Sequence, residues 1–213
     1  VAGGANFPSG KPWEGGTKVW TDRAWVLDKP DGAWREAGRL PGPRAYGASI
    51  STPDGLLCIG GSDSGRHHDE VFLLRWTGTA LERDAWPPLP APCANLCGAL
   101  AGRTVIVAGG ESAPGATTAG TNCWALDLDH RTAGWRTLPA WSGPGRSLAA
   151  AGVQGGEFFL FGGVSLAAGP DGAPVRTYLR DAHAWRAGRG WRRIADLPRS
   201  EEHTSELQSR QSI

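Results

Sequence analysis

Apolar residues along this chain come in short runs broken by glycine, proline and aspartate, and four of the runs end in a glycine pair. These are Val1-Ala2-Gly3-Gly4, Leu56-Leu57-Cys58-Ile59-Gly60-Gly61, Val105-Ile106-Val107-Ala108-Gly109-Gly110 and Phe158-Phe159-Leu160-Phe161-Gly162-Gly163. Their second glycines lie 57, 49 and 53 residues apart. Each pair is followed 25 to 30 residues later by a tryptophan and then Leu-Pro: Trp34, Trp86, Trp135 and Trp191, with Leu40-Pro41, Leu89-Pro90, Leu138-Pro139 and Leu197-Pro198. A segment opened by a small polar residue stands between pair and tryptophan (Asp22, Asp69, Asn122, Asp181), and another precedes three of the pairs (46–51, 95–100, 148–153). Every cycle thus predicts four strands of about five residues bounded by turn signals. Four short strands repeated at a fixed period make propeller blades.

Composition agrees. Glycine (32) and proline (16) are abundant, there are 11 tryptophans and no methionine, and helical bundles are therefore excluded. No apolar run approaches the roughly 18 residues of a membrane helix. The 22 basic and 21 acidic residues nearly cancel, which leaves no electrostatic footprint for nucleic acid or an anionic membrane and turns attention to small ligands. The start inside an apolar segment, without methionine, reads as a fragment, so localisation and any leader are not legible. Cys58, Cys93, Cys97 and Cys123 lack the spacing of a metal site and read as reduced strand residues; no metal or other cofactor is expected.

The glycine pairs, the tryptophans and the 50-residue period resemble the kelch repeat over residues 1–198. The expected fold is all-β, a kelch-type propeller with about four blades present (about 1–41, 42–90, 91–139 and 140–198) of the six that the resemblance implies. A glycine pair after a buried strand lets the backbone turn sharply beside its neighbours, and an outer-strand tryptophan fills the space between blades. Residues 199–213 lose the pattern, and Arg199 to Ser209 matches the translation of a widely used sequencing-library adapter, so this tail is excluded from the fold.

Candidate chemistry lies in the loops at one mouth of the ring. The loop over residues 5–21 carries Asn6, Phe7, Lys11, Trp13, Glu14, Lys18 and Trp20, able to cover a small ligand with an aromatic for a sugar face. The 62–68 loop carries Asp63, Arg66, His67 and His68; adjacent histidines in an extended segment point to opposite sides, so they read as solvated loop residues rather than joint ligands of one metal. Glu111, directly after its glycine pair, is either a general acid or base near the axis or a hydrogen-bonded turn residue. Pro43-Arg44-Ala45-Tyr46-Gly47, Pro92-Cys93-Ala94-Asn95 and Pro144-Gly145-Arg146-Ser147 open successive blades. Arg44 and Arg146 either converge on one carboxylate or pair structurally with neighbouring blades.

Val1-Ala2-Gly3-Gly4-Ala5-Asn6-Phe7-Pro8, Trp13-Glu14-Gly15-Gly16, Trp20-Thr21-Asp22, Gly38-Arg39-Leu40-Pro41 and Pro43-Arg44-Ala45-Tyr46-Gly47-Ala48-Ser49 resemble consecutive blades of the bacterial sialic acid mutarotases, also called N-acetylneuraminate epimerases. The blade order is similar to a cyclically permuted branch of that family. The resemblance implies interconversion of the anomers of a sialic-acid-type sugar by acid/base ring opening, with a small-molecule sugar as partner. It implies Glu111 as the catalytic candidate and Arg44, Tyr46, Arg146, Asn95, Asn6 and Trp13 as substrate-binding candidates. The family's catalytic pair is a glutamate directly after a glycine with an arginine about six residues on, in a blade that by order follows residue 198. Thr117 and Thr118 stand where that arginine would be after Glu111, so the resemblance points to an acid/base outside this stretch and the piece by itself is expected to be inactive. The alternatives are a non-catalytic kelch module that binds a glycan or protein, and a copper-radical oxidase, for which Tyr46 and Tyr178 offer no fitting histidine pair.

Overall fold

The computed structural model describes residues 1–200; most of the tail set aside above lies outside the described residues. The first unit holds strands β1 (Ala5–Asn6), β2 (Val19–Trp20), β3 (Arg23–Val26) and β4 (Arg35–Arg39). The second is a four-stranded antiparallel meander of β5 (Ala48–Thr52), β6 (Gly55–Ile59), β7 (Val71–Trp76) and β8 (Leu81–Trp86). The third repeats it with β9 (Cys97–Ala101), β10 (Thr104–Ala108), β11 (Cys123–Asp127) and β12 (Arg136–Thr137). In the fourth, β13 (Ala150–Gln154) and β14 (Glu157–Phe161) are followed by an inserted hairpin of β15 (Val164–Ala168) and β16 (Pro174–Tyr178). The meander then resumes with β17 (Ala182–Arg186) and β18 (Gly190–Ile194).

The first strands of successive sheets, β5, β9 and β13, lie beside one another, and each sheet packs face to face on the next. This is the arrangement of β-propeller blades, and the chain is all-β with propeller architecture. Because side chains alternate across a strand, one apolar run serves two interfaces. Val105 and Val107 of β10 join Leu57, Ile59, Val71 and Leu73 of the second blade, whereas Ile106 and Ala108 join Phe158, Leu160 and Trp185 of the fourth. A strand buried on both faces has no polar position, which is why these runs read as unbroken apolar segments.

The glycine pairs join blade to blade. Gly61 and Gly110 donate their N–H groups to the carbonyls of Cys93 and Arg146, at 2.8 and 2.7 Å, in the opening segment of the next blade. At the preceding glycines, Gly60 and Gly109, φ is +61° and +69°, and a Cβ would stand 2.4 and 2.3 Å from those same carbonyl oxygens. Only glycine fits. The tryptophans add a second tie at the periphery: Trp135 and Trp191 donate Nε1–H to the carbonyls of Pro87 and Pro139 in the preceding blade, at 2.9 and 2.7 Å. Trp34 departs from the expected role. It precedes β4 and is exposed.

Candidate functional site

Three residues mark the inner ends of the blades. Tyr46, Asn95 and Leu148 occupy equivalent positions before β5, β9 and β13, and all three adopt left-handed backbone angles, with φ of 61°, 58° and 56°. Asn95 N–H donates to the Tyr46 carbonyl at 2.8 Å and Leu148 N–H to the Asn95 carbonyl at 2.9 Å, so a chain of backbone hydrogen bonds runs from blade to blade around the centre. Leu148 lacks the side-chain hydrogen bonding that eases this conformation for asparagine.

Glu111 is brought to this ring. Its backbone pairs with Ala94 in both directions (2.8 and 3.0 Å), and its Oε1 accepts a hydrogen bond from Asn95 Nδ2 at 3.2 Å. The same two-way backbone pairing joins Ala45 to Ser62 and Ser147 to Val164 in the flanking blades, and of these three positions after the glycine pairs Glu111 alone carries a carboxylate. Glu111 is half-buried, open to solvent on one side.

The two arginines occupy different ground from the expected convergent clamp. Arg146 is fully buried, donating to the Gly162 carbonyl (2.9 Å) and to both oxygens of Asp181 (3.1 and 2.6 Å). In the second blade Arg44 donates to the Gly60 carbonyl and to one oxygen of Glu70, whose pKa is lowered chiefly by that hydrogen bond. Both pairs lie within a single blade rather than between neighbours. Arg146, holding Asp181 in a bidentate fork, has no such fork left for a substrate, and Arg44 is committed to Glu70 and the Gly60 carbonyl. These arginines build blades.

The 62–68 loop also departs from expectation, for His67 and His68 are both buried. His68 Nε2 lies 2.8 Å from Asp63 Oδ2. The Asp63 carboxyl is held down at about 2, first by the N–H of Gly65, against some desolvation, with Arg66 N–H and His68 adding to the effect. Among the described residues His67 has no hydrogen-bond partner on either ring nitrogen; burial lowers its pKa and the nearby Glu111 carboxylate opposes that shift.

The first loop folds as the β1–β2 hairpin, pairing Ala5 with Trp20 and Asn6 with Val19, with a short 3₁₀ turn at Pro12–Glu14. Trp13 on that turn is 78% exposed, with Lys11 Nζ over its ring, and Asn6 is exposed on β1. Neither is joined to the Asn95–Glu111 pair by any contact among the described residues. Lys18 and Trp20 instead reach the centre: Lys18 Nζ stands 4.3 Å from the Tyr46 ring centroid and 5.1 Å from that of Trp20. Both lie in the same loop as Trp13, and nothing in the local sequence singles them out from it, because hairpin register decides which residues turn inward. The β15–β16 hairpin, the fourth blade's counterpart of this insertion, was not foreseen.

The four cysteines are free thiols, and burial pushes Cys93, Cys97 and Cys123 up to about 12 and Cys58 up to about 11. Among the described residues no cluster of histidine, cysteine and carboxylate side chains has metal-binding geometry, and no helix is long and apolar enough to cross a membrane.

No family model matches the chain. Comparison with curated proteins finds N-acetylneuraminate epimerases: that of Brucella suis is 44% identical over 91 residues, 38% of this chain and 23% of the relative. Those of Vibrio cholerae and Yersinia pestis are 36% identical over 92 residues and 39% over 93, with the same coverage. Over that segment the chain is similar to the N-acetylneuraminate epimerases. It spans about a quarter of the length of these relatives. A solved structure, that of YjhT, superimposes with a TM-score of 0.62 over 83% of this chain and 53% of the other, at 18% identity, which extends the common fold well beyond the segment aligned with the epimerases.

Proposed function

We propose that this chain contributes to a mutarotase that interconverts the anomers of a sialic-acid-type sugar at the mouth of a propeller ring. The observation that carries the reading is the 44% identity to an N-acetylneuraminate epimerase over 91 residues. The structure is compatible with it in one respect: Glu111 stands at the central ring, oriented by Asn95.

Mutarotation of a free sugar breaks no bond that closure does not remake. A base removes the proton of the anomeric hydroxyl, the ring C–O bond opens as an acid protonates the ring oxygen, and addition to the other carbonyl face reverses both transfers. In this proposal the Glu111 carboxylate accepts the hydroxyl proton and returns it on closure, while Asn95, by donating to Oε1, fixes which oxygen faces the sugar. Tyr46 offers an apolar face, 40% exposed, for the sugar ring.

The test is anomer-exchange NMR on N-acetylneuraminate. The protein is expected to accelerate exchange above the buffer rate and Glu111→Gln to abolish the acceleration. Saturation transfer to bound sugar without faster exchange would replace the enzyme with a binding module.

A further inference from the structure

We infer that Lys18 is the group that captures the substrate carboxylate at the mouth, an inference that rests on the mutarotase reading. Three observations lead to it. First, Arg44 and Arg146, which have the better geometry for a carboxylate, are spent on Glu70 and Asp181. Second, Lys18 is held at the centre by two rings, Tyr46 at 4.3 Å and Trp20 at 5.1 Å, and Tyr46 belongs to the backbone chain around the axis. Third, among the described residues Lys18 makes no hydrogen bond or ion pair, although it is half-buried.

An ammonium carries three N–H donors, and aromatic faces attract its charge without offering it a lone-pair acceptor. Two rings therefore fix Nζ in place and leave its donors unspent, which is what a carboxylate requires. The hairpin supplies the placement: Trp20 pairs with Ala5, Thr21 N–H returns to the Gly4 carbonyl at 3.0 Å, and Lys18 projects from the first blade onto the Tyr46 ring of the second. Arg66, a further rim cation with no ion-pair partner among the described residues, is exposed and acts electrostatically on Glu70. It serves as the control.

The experiment titrates the 213-residue chain with N-acetylneuraminate and, separately, with its methyl ester, following tryptophan fluorescence and ligand line broadening. Wild type is expected to bind the acid at least about tenfold more tightly than the ester. Lys18→Met should erase that preference by weakening the acid alone, whereas Lys18→Arg keeps most of it and Arg66→Ala keeps all of it. Equal affinity of wild type for acid and ester, or an undiminished preference in Lys18→Met, overturns the role of Lys18 while leaving the mutarotase reading standing. Failure of both sugars to bind overturns that reading and this inference together.

Discussion

Arg146 and Asp181 form a two-pronged ion pair inside the fourth blade, and the third blade holds Cys93 and Asn122 in the corresponding places. In each blade the first partner opens the inner strand and the second immediately precedes the third strand, and both enclose the carbonyl of the first glycine in the pair. Arg146 donates to Gly162 at 2.9 Å, while Cys93 Sγ and Asn122 Nδ2 contact Gly109 at 3.3 and 2.8 Å. One structural task, satisfying a turn carbonyl, is thus met with charges in the second and fourth blades and without them in the third.

Removing Asp181 should therefore cost far more than removing the pair. Asp181→Ala leaves a buried guanidinium uncompensated and is expected to destabilise by about 3–5 kcal/mol. The double variant Arg146→Cys/Asp181→Asn copies the third blade and should recover about 1 kcal/mol or more relative to the sum of its single changes. Urea denaturation of the four proteins measures this, and additive losses would show that the pair does not act as a unit.

Leu148 holds a left-handed backbone angle at 42% exposure, so it carries strain without much burial to offset it. Leu148→Gly should be neutral or stabilising by up to about 1 kcal/mol, whereas Asn95→Ala, at the same backbone angle, should destabilise. Thermal melts suffice to compare them.

Across the blades, Trp191→Phe keeps the ring and loses the hydrogen bond to Pro139, at an expected cost of about 1 kcal/mol. Ile106→Ala opens a cavity between the third and fourth blades, where Ile106 is fully buried, and should cost about 2–5 kcal/mol. A smaller loss at Ile106 than at Trp191 would contradict the packing described above.

Acidification should weaken the fold in two stages. The pKa values of His67 and His183 are lowered in the native state, in both chiefly by burial. The unfolded chain therefore takes up their protons first, and stability begins to fall as pH drops below the ordinary histidine value of about 6.5. Asp63 and Glu70 have lowered pKa values too, and their contribution, present above the ordinary carboxylate range, is lost as pH falls toward the value of about 2 held by Asp63. His130, raised by Asp127, acts oppositely but is exposed and screened. Denaturation midpoints at pH 7.5 and 5.5 read the first stage, which His67→Gln should reduce; identical wild-type midpoints would show that these rings are not held neutral.

Much of the architecture was legible because it rests on local, periodic constraints. Val105 to Ala108 had to be buried on both faces, since four consecutive apolar residues ending in glycines leave no side for water. Gly60 and Gly109 announced close approach, and each lies against the next blade's carbonyl. Glu111 and Asn95 were picked out as separate candidates; that Asn95 donates to Glu111 was not legible, because 16 residues and a strand turn separate them.

By itself, then, the sequence determined the strand rhythm, the all-β class and the blade-to-blade role of the glycine pairs, because period, turn chemistry and burial are short-range properties of the chain. Only the tertiary structure decided which charged side chains face the centre. Arg44 and Arg146 share their local sequence setting with residues that line the mouth, yet their fate is set by Glu70 and Asp181, 26 and 35 residues away. Lys18 reaches Tyr46 through hairpin register, and a one-residue slip in that register would turn it to the opposite face.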